Sequence, residues 1–190
     1  MATTIDSIFN KTLFQRLLNS RKSNTEVIYF DKTTKENGES NSKVFDIDAT
    51  IFYKPFEIEI NYDITNQTQA KNTIAFFCCR KNQNNNNPSV HIFAINKILN
   101  IDMSNIGSSN RITTNVRIND KGKINIKYNE GIIKLYFDDV INNAYDLSTH
   151  KLTSNLSNKC SVGQSYSTVT GNLANGINGT VNVIIKELKE

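Results

Sequence analysis

The 190-residue sequence contains no tryptophan and only three cysteines. Tryptophan is the usual platform for a sugar ring and a common anchor at the membrane interface, so its absence argues against both kinds of site. Cys78, Cys79 and Cys160 form an odd set, and adjacent cysteines rarely bridge each other because the geometry is strained. We therefore expect three free, buried thiols.

Long apolar runs are also missing. No segment approaches the roughly 18 apolar residues of a membrane-spanning helix. The first residues lack both the basic region and the continuous apolar region of a secretory signal peptide. The sequence therefore predicts no membrane span and a cytoplasmic location.

Positive charge is present but not clustered. The net charge is +4, and the longest runs of cations are pairs such as Arg21-Lys22 and Arg80-Lys81. A nucleic-acid site would gather cations on one face with aromatic residues between them. We therefore expect no nucleic-acid partner, and no motif indicates a cofactor.

The strongest positive signal is alternation of apolar and polar residues. In the segment KGKINIKYNEGIIKLYFDD (121–139), every second residue is apolar from Ile124 to Tyr128 and from Ile133 to Phe137, which is the period of a strand with one buried face. Residues 43–53 and 56–64 show the same pattern. Residues 72–79 are nearly all apolar and predict a central strand that is covered on both sides.

Turn signals separate these segments about every 8 to 12 residues. Gly122 and Gly131 are expected to take the positive φ of short hairpins. Residues 97–110 fit either a strand or a helical turn, and residues 138–158 are polar and mixed. The pattern predicts an all-β fold, an antiparallel β-sandwich or jelly roll of about nine strands.

One N-terminal amphipathic α-helix is predicted over residues 4–19, within an arm of residues 1–22 that precedes a sandwich domain of residues 23–190. The apolar face of this helix contains Ile5, Ile8, Phe9, Leu13, Leu17 and Leu18. The helix either completes the core, docks on a second copy, or inserts into a membrane. A leading helix followed by a β-sandwich resembles the actinoporin-like pore formers in outline, and that resemblance implies the membrane role.

Three acidic residues share the polar face of the segment FEIEINYDI. Glu57, Glu59 and Asp63 resemble part of the Glu-Ile-Asp-Ile-x-Glu signature of laminarinase-type jelly-roll glycosidases, which implies a pair of catalytic carboxylates. Asn61 or Tyr62 stands where the signature requires a further carboxylate. We therefore expect a solvated strand face rather than a hydrolase site.

Two further groups are candidate sites. Asp138, Asp139 and Asp146 offer oxygen ligands for a metal ion or a sugar, although their spacing does not match an EF-hand. Cys160 becomes a candidate nucleophile only if the fold brings it to His91 or His150, because no catalytic motif surrounds it.

The sequence thus contains stronger signals for strands, turns and one helix than for a catalytic or ligand-binding site. The sequence favours a non-catalytic structural protein that self-assembles into a homo-oligomer or lattice through the 4–19 helix and its sheet edges. The alternative is a lectin-like carbohydrate-binding sandwich whose Asn and Asp residues hydrogen-bond glycan hydroxyls. A hydrolase is the third hypothesis.

Overall fold

The computed structural model describes residues 27–34, 45–64, 73–80, 89–104, 111–146, 152, 156, 158–163, 165–166, 173–174, 177 and 179–188. The predicted 4–19 helix, with Ile5, Ile8, Phe9, Leu13, Leu17 and Leu18, lies outside these residues. The 1–22 arm lies outside them too, so the helix and the two-part domain division both stay predictions.

Six strands form the first sheet, called sheet A. They are β1 (Val27–Thr34), β3 (Phe56–Asp63), β8 (Lys121–Asn129), β9 (Ile132–Phe137), β10 (Val140–Asp146) and β14 (Gly179–Glu187). Their order across the sheet is β1-β14-β3-β8-β9-β10, and every neighbouring pair is antiparallel.

Six more strands form sheet B. They are β2 (Phe45–Asp46), β4 (Thr73–Arg80), β5 (Ser89–Ile95), β6 (Ile98–Ser104), β7 (Arg111–Arg117) and β11 (Lys159–Val162). Their order is β2-β11-β4-β5-β6-β7, again antiparallel throughout. Two short strands, β12 (Ser165–Tyr166) and β13 (Leu173–Ala174), pair with each other. The predicted all-β antiparallel sandwich is confirmed.

The core lies between the two sheets and is built by alternation. On β3, Phe56, Ile58, Ile60 and Tyr62 are buried while the residues between them are partly exposed. The Tyr62 ring lies 4.8 Å from the ring of Phe76 on sheet B, so aromatic contacts join the layers. Each apolar side chain buried in this way contributes about 1.5 to 3 kcal/mol of transfer free energy.

Strand β4 is covered on both faces, as its nearly continuous apolar sequence predicts. Ile74 to Cys79 are all buried. A register shift between Ala75 and Phe77 in the pairing with β5 allows the consecutive Phe76 and Phe77 both to join the core. The described residues contain no helix that is long and apolar enough to cross a membrane.

The strand predicted over 43–53 is wrong for most of its length. Only Phe45–Asp46 is a strand, and Ala49–Tyr53 forms a 3₁₀ helix. The Asp48 carboxylate accepts a hydrogen bond of 3.0 Å from the Thr50 backbone N–H, and this cap stabilises the helical turn. The tighter coil buries both Ile51 and Phe52, and the Phe52 ring packs edge-on against Phe56 at 5.2 Å.

Three local predictions have different outcomes. Gly131 has φ of 91° in the β8–β9 turn, as expected, whereas Gly122 has no positive φ because it is paired with Tyr62 inside β8. The ambiguous segment 97–110 contributes strand β6, and the polar segment 138–158 contributes strand β10. In β10 the strand state is set by pairing with β9 and not by its own alternation.

Candidate functional site

The outer face of sheet A carries an ordered array of charge. Glu57 on β3 lies opposite Lys127 on β8 and Lys186 on β14. Each lysine Nζ lies 3.8 Å from a Glu57 carboxylate oxygen. Glu59 pairs with Lys123 at 3.6 Å and with Lys186 at 4.0 Å. The outward-facing charged residues of three neighbouring strands therefore form a connected ionic network.

Both glutamates are more enclosed than the solvated face that the sequence predicts. Their side chains are only 13% and 19% exposed. Asn125 Nδ2 donates a hydrogen bond of 2.5 Å to Glu57 Oε1, and Asn61 Nδ2 donates one of 3.1 Å to Glu59 Oε1. Because these carboxylates are engaged by lysines and amides within the sheet, the glycosidase-like chemistry implied by the resemblance finds no support in this arrangement.

A cleft of about 500 Å³ opens beside this network, at the end of β8 near β9. Side chains of β8 and β9 line most of it, and we call it the lysine–tyrosine cleft. Its lining includes Lys127, Asn129, Ile132, Lys134, Tyr136 and Leu188. The volume lies within the range of small-molecule sites.

The lysine–tyrosine cleft is positively charged. The Lys127 Nζ lies 5.5 Å from the centre of the Tyr136 ring, and Lys134 is exposed. Lys134 has no ion-pair partner within the described part of the chain, and no described acid lines the cleft. Two ammonium groups beside an aromatic ring suit a ligand that carries an anionic group next to an apolar surface.

A second cleft, of about 380 Å³, lies towards the other end of β8. We call it the asparagine–aspartate cleft. Its charged lining residues are Asp63, Lys121, Lys123 and Asp138, and its uncharged polar lining residues include Asn61, Thr180 and Asn182. The two carboxylates and the two ammonium groups balance, so the lining carries no net charge.

The predicted acidic group is divided by the fold. Asp138 and Asp139 form the β9–β10 turn, with φ of 48° and 64°, whereas Asp146 lies at the far end of β10 opposite Ile132. Asp138 Oδ1 accepts a hydrogen bond of 2.7 Å from the Lys123 N–H. The described residues contain no group of three or more His, Cys, Asp or Glu side chains placed to hold a metal ion.

Asp139 acts on a neighbouring lysine. Its Oδ1 lies 2.9 Å from Lys123 Nζ, and this hydrogen bond raises the pKa of the lysine. Asp138 therefore holds the backbone of β8 at the edge of the asparagine–aspartate cleft, while Asp139 holds the side chain of Lys123.

The Cys160 hypothesis fails on geometry where the structure describes it. Cys160 belongs to the core and pairs with Cys79, which is opposite Val90. His91 is the next residue of β5, so it points to the other face of sheet B and lies opposite Cys78. Burial raises the pKa of the Cys160 thiol to about 12, which disfavours the reactive thiolate. His150 lies outside the described residues.

The cysteines are otherwise as the sequence predicts. All three are buried, and none of them forms a disulfide within the described part of the chain. Burial is also the main reason that the pKa of Cys79 lies well above its ordinary value.

Sequence reasoning missed Lys127, Lys134 and Tyr136. The sequence contained a signal for them, because all three are at polar positions of the alternating pattern, in two strands joined by the Asn129-Glu130-Gly131 turn. A hairpin closed at that turn places Lys127 opposite Lys134 and Asn125 opposite Tyr136. Read with this register, the sequence indicates a patch of two lysines and one aromatic ring on the outer face.

Comparison with known proteins shows similarity at the level of fold. No protein-family model matches the sequence, and no curated protein matches it. The CBM40 domain of the Ruminococcus gnavus IT-sialidase superposes with a TM-score of 0.63 at 12% identity, covering 85% of this chain and 93% of that one. Structures of the same domain bound to α2,3- and α2,6-sialyllactose superpose with TM-scores of 0.59 and 0.62.

Two further structures share the sandwich. The leech intramolecular trans-sialidase, complexed with 2,7-anhydro-Neu5Ac, superposes with a TM-score of 0.62 at 13% identity over 85% of this chain. The match covers only 26% of the leech chain. The binding domain of botulinum neurotoxin DC in complex with SialylT gives 0.54 at 13% identity, over 85% of this chain and 42% of that one. These matches establish a β-sandwich of the kind found in carbohydrate-binding modules.

Proposed function

We propose that the protein is a lectin-like carbohydrate-binding β-sandwich, without catalytic activity of its own, that binds a sialylated glycan in the lysine–tyrosine cleft. The observation that carries the proposal is the meeting of Lys127, Lys134 and Tyr136 in one cleft without an acid among its described lining residues. The fold similarity to a domain bound to sialyllactose supports the same class of ligand.

The chemistry of the cleft matches that of a sialic acid. This sugar presents a carboxylate, for which the ammonium groups of Lys127 and Lys134 are donors. It also presents hydroxyls, for which Asn129 offers both donors and an acceptor. The Tyr136 ring supplies the apolar surface on which the C–H face of a pyranose packs, a role that a chain without tryptophan must give to another aromatic residue.

Self-assembly stays a prediction, because the 4–19 helix that would drive it lies outside the described residues. The similarity to carbohydrate-binding modules favours the lectin-like alternative over it. The enclosed positions of Glu57 and Glu59 and the buried thiol of Cys160 support a binding role rather than hydrolysis.

The test is a glycan array followed by calorimetric titration with 3′-sialyllactose and lactose. We expect the wild type to bind sialyllactose at least about tenfold more tightly than lactose, because a hydrogen bond to a charged group contributes roughly 1.5 to 3 kcal/mol. Lys134→Gln removes one ammonium group and should abolish most of this preference.

A matched control is Lys97→Gln. Lys97 lies in the β5–β6 turn, is 51% exposed and pairs with Asp120 at 2.8 Å, away from the cleft. Its loss should leave the preference for sialyllactose unchanged. Equal affinity of the wild type for both sugars, or an unchanged preference in Lys134→Gln, would refute the proposal.

A further inference from the structure

We propose that the asparagine–aspartate cleft is a second, independent sugar site, and that it takes an uncharged saccharide. The class of ligand rests on the proposed function, but the site does not share a lining residue with the lysine–tyrosine cleft. Three features of this cleft support a sugar: the balance of its charges, its hydrogen-bond donors and acceptors, and a carboxylate fixed by a turn.

Charge distinguishes the two clefts. In the asparagine–aspartate cleft the Lys121 Nζ lies 3.4 Å from Asp63 Oδ2, and Lys123 is held by Asp139 at 2.9 Å. Its lining sums to zero, whereas the lysine–tyrosine cleft has two lysines and no described acid in its lining. Lys127 is paired with Glu57 at 3.8 Å, and Lys134 has no ion-pair partner in the described part of the chain. An anion therefore gains little electrostatic attraction in the asparagine–aspartate cleft, and an uncharged ligand meets no net charge there.

The donor and acceptor set matches that of a polyol. A sugar hydroxyl both donates and accepts, so it is best satisfied by groups that do the same or by carboxylates and ammonium groups side by side. Two rows cross the sheet here. Asn182, Asn61 and Lys123 form one row, and Thr180, Asp63 and Lys121 form the next.

The two rows are spaced by the strand repeat. Alternate residues of a strand lie about 6.5 to 7 Å apart on one face, so the rows present polar groups on two sides of the cleft. A pyranose, with hydroxyls on several carbons of one ring, is a ligand with that distribution.

One carboxylate at the edge of the cleft is fixed by a turn. Gly122 lies opposite the buried Tyr62, so a Cβ at this position would project to the Tyr62 side of the sheet, 2.8 Å from Tyr62 Oη and 3.2 Å from Asp138 Oδ1. The Asp138 carboxylate is held through Oδ1 by the Lys123 N–H at 2.7 Å. A carboxylate fixed before the ligand arrives loses little conformational entropy on binding.

The clefts are too far apart to act as one subsite. Gly122 and Tyr128 mark their positions on β8, and six residues of strand span about 20 Å. Each site should therefore bind its own sugar, and a branched or clustered glycan that reaches both would bind with avidity.

The test is a two-dimensional amide NMR titration of the full chain with methyl glycosides of glucose, galactose, mannose and N-acetylglucosamine. We expect at least one glycoside to shift the amide signals of residues 121–123 and 180–182 while those of 132–136 stay in place. The double variant Thr180→Val/Asn182→Ala should weaken this binding about two- to tenfold for each hydrogen bond lost.

Lys134→Gln is the matched control and should leave the glycoside titration unchanged. If no glycoside shifts residues 121–123, or if the double variant, shown to be folded by its unchanged spectrum elsewhere, binds as the wild type does, the second site is wrong even where sialyllactose still binds. If glycosides bind here while sialyllactose binds nowhere, the second site stands and the proposed acidic-glycan function fails.

Discussion

Lys127 on β8 places its Nζ 5.5 Å from the centre of the Tyr136 ring on β9. The two residues are diagonal neighbours on the outer face of the hairpin, since Lys127 lies opposite Lys134 and Tyr136 lies opposite Asn125. A cation held over an aromatic ring restrains both side chains. The ring is therefore fixed by regular strands rather than by a loop, which favours a preorganised contact surface.

Tyr136 should contribute to binding through its ring rather than its hydroxyl. We expect Tyr136→Ala to weaken binding of 3′-sialyllactose about five- to thirtyfold, which corresponds to about 1 to 2 kcal/mol. Tyr136→Phe keeps the ring and should bind nearly as the wild type does. Calorimetric titration measures both variants, and equal losses in the two would show that the hydroxyl is the important group.

Salt should separate the two clefts. Screening shortens the Debye length from about 10 Å at 0.1 M salt to about 3 Å at 1 M. Binding of sialyllactose by Lys127 and Lys134 should weaken severalfold between about 0.05 and 0.5 M NaCl. Binding of a methyl glycoside in the neutral asparagine–aspartate cleft should hardly change. A salt-independent affinity for sialyllactose would contradict the ionic role of the lysines.

Gly122 and Tyr62 should be energetically coupled. Gly122→Ala brings a Cβ within 2.8 Å of Tyr62 Oη and should lower the free energy of unfolding by about 1 to 3 kcal/mol. Tyr62→Phe alone should cost little, because Oη is buried and has only the backbone of Asn119 as a hydrogen-bonding neighbour among the described residues.

The double variant Gly122→Ala/Tyr62→Phe should recover part of the loss, since the clashing oxygen is gone. Urea denaturation of the wild type, the two single variants and the double variant gives the coupling free energy between positions 62 and 122. Strict additivity of the two single effects would show that the contact with Oη is not what excludes a side chain at position 122.

The buried thiols predict a loss of stability in alkali. Burial raises the pKa of Cys160 from 9.0 to about 12 and also raises that of Cys79. The unfolded chain therefore releases these protons at a lower pH than the folded chain does. The stabilisation is complete below pH 9 and is lost as the pH rises towards 12, by at most about 1.4 kcal/mol per pH unit for each thiol.

Cys160→Ala should show a shallower fall in the free energy of unfolding between pH 9 and 10 under reducing conditions. In this window Tyr62 and Tyr128, whose pKa values are raised from 10.0, contribute less than they do above pH 10, and they contribute equally in the variant and the wild type. Denaturant titrations at several pH values measure the slope. Identical slopes for the variant and the wild type would exclude Cys160 as a source of the alkaline instability.

The alternation of apolar and polar residues was sufficient to predict a strand where the neighbouring strand pairs with it regularly. Strand β3 has the alternating buried and half-buried residues that its sequence predicts, and β8 and β9 contain the alternating segments Ile124–Tyr128 and Ile133–Phe137. The failure at 49–53 has a local cause, because the Asp48 cap competes with a strand whose only paired residues are Phe45 and Asp46.

The two clefts were harder to predict from the sequence than the strands were. Lys127 and Tyr136 meet only when the hairpin register is known, and Asn182 reaches Asn61 only because β14 lies next to β3. A single strand contains no information about which strand lies beside it. The enclosure of Glu57 and Glu59 has the same origin, since it depends on lysines from two neighbouring strands.

The place of β14 in sheet A has a consequence for biosynthesis. Residues 179–187 lie between β1 and β3, two strands that are made long before them. While the ribosome is still adding these residues, β1 has no neighbour in the sheet and β3 has only β8. Sheet A can therefore be completed only after residues 179–187 leave the exit tunnel. A nascent chain that pauses earlier would expose two unpaired strand edges, to which chaperones can bind.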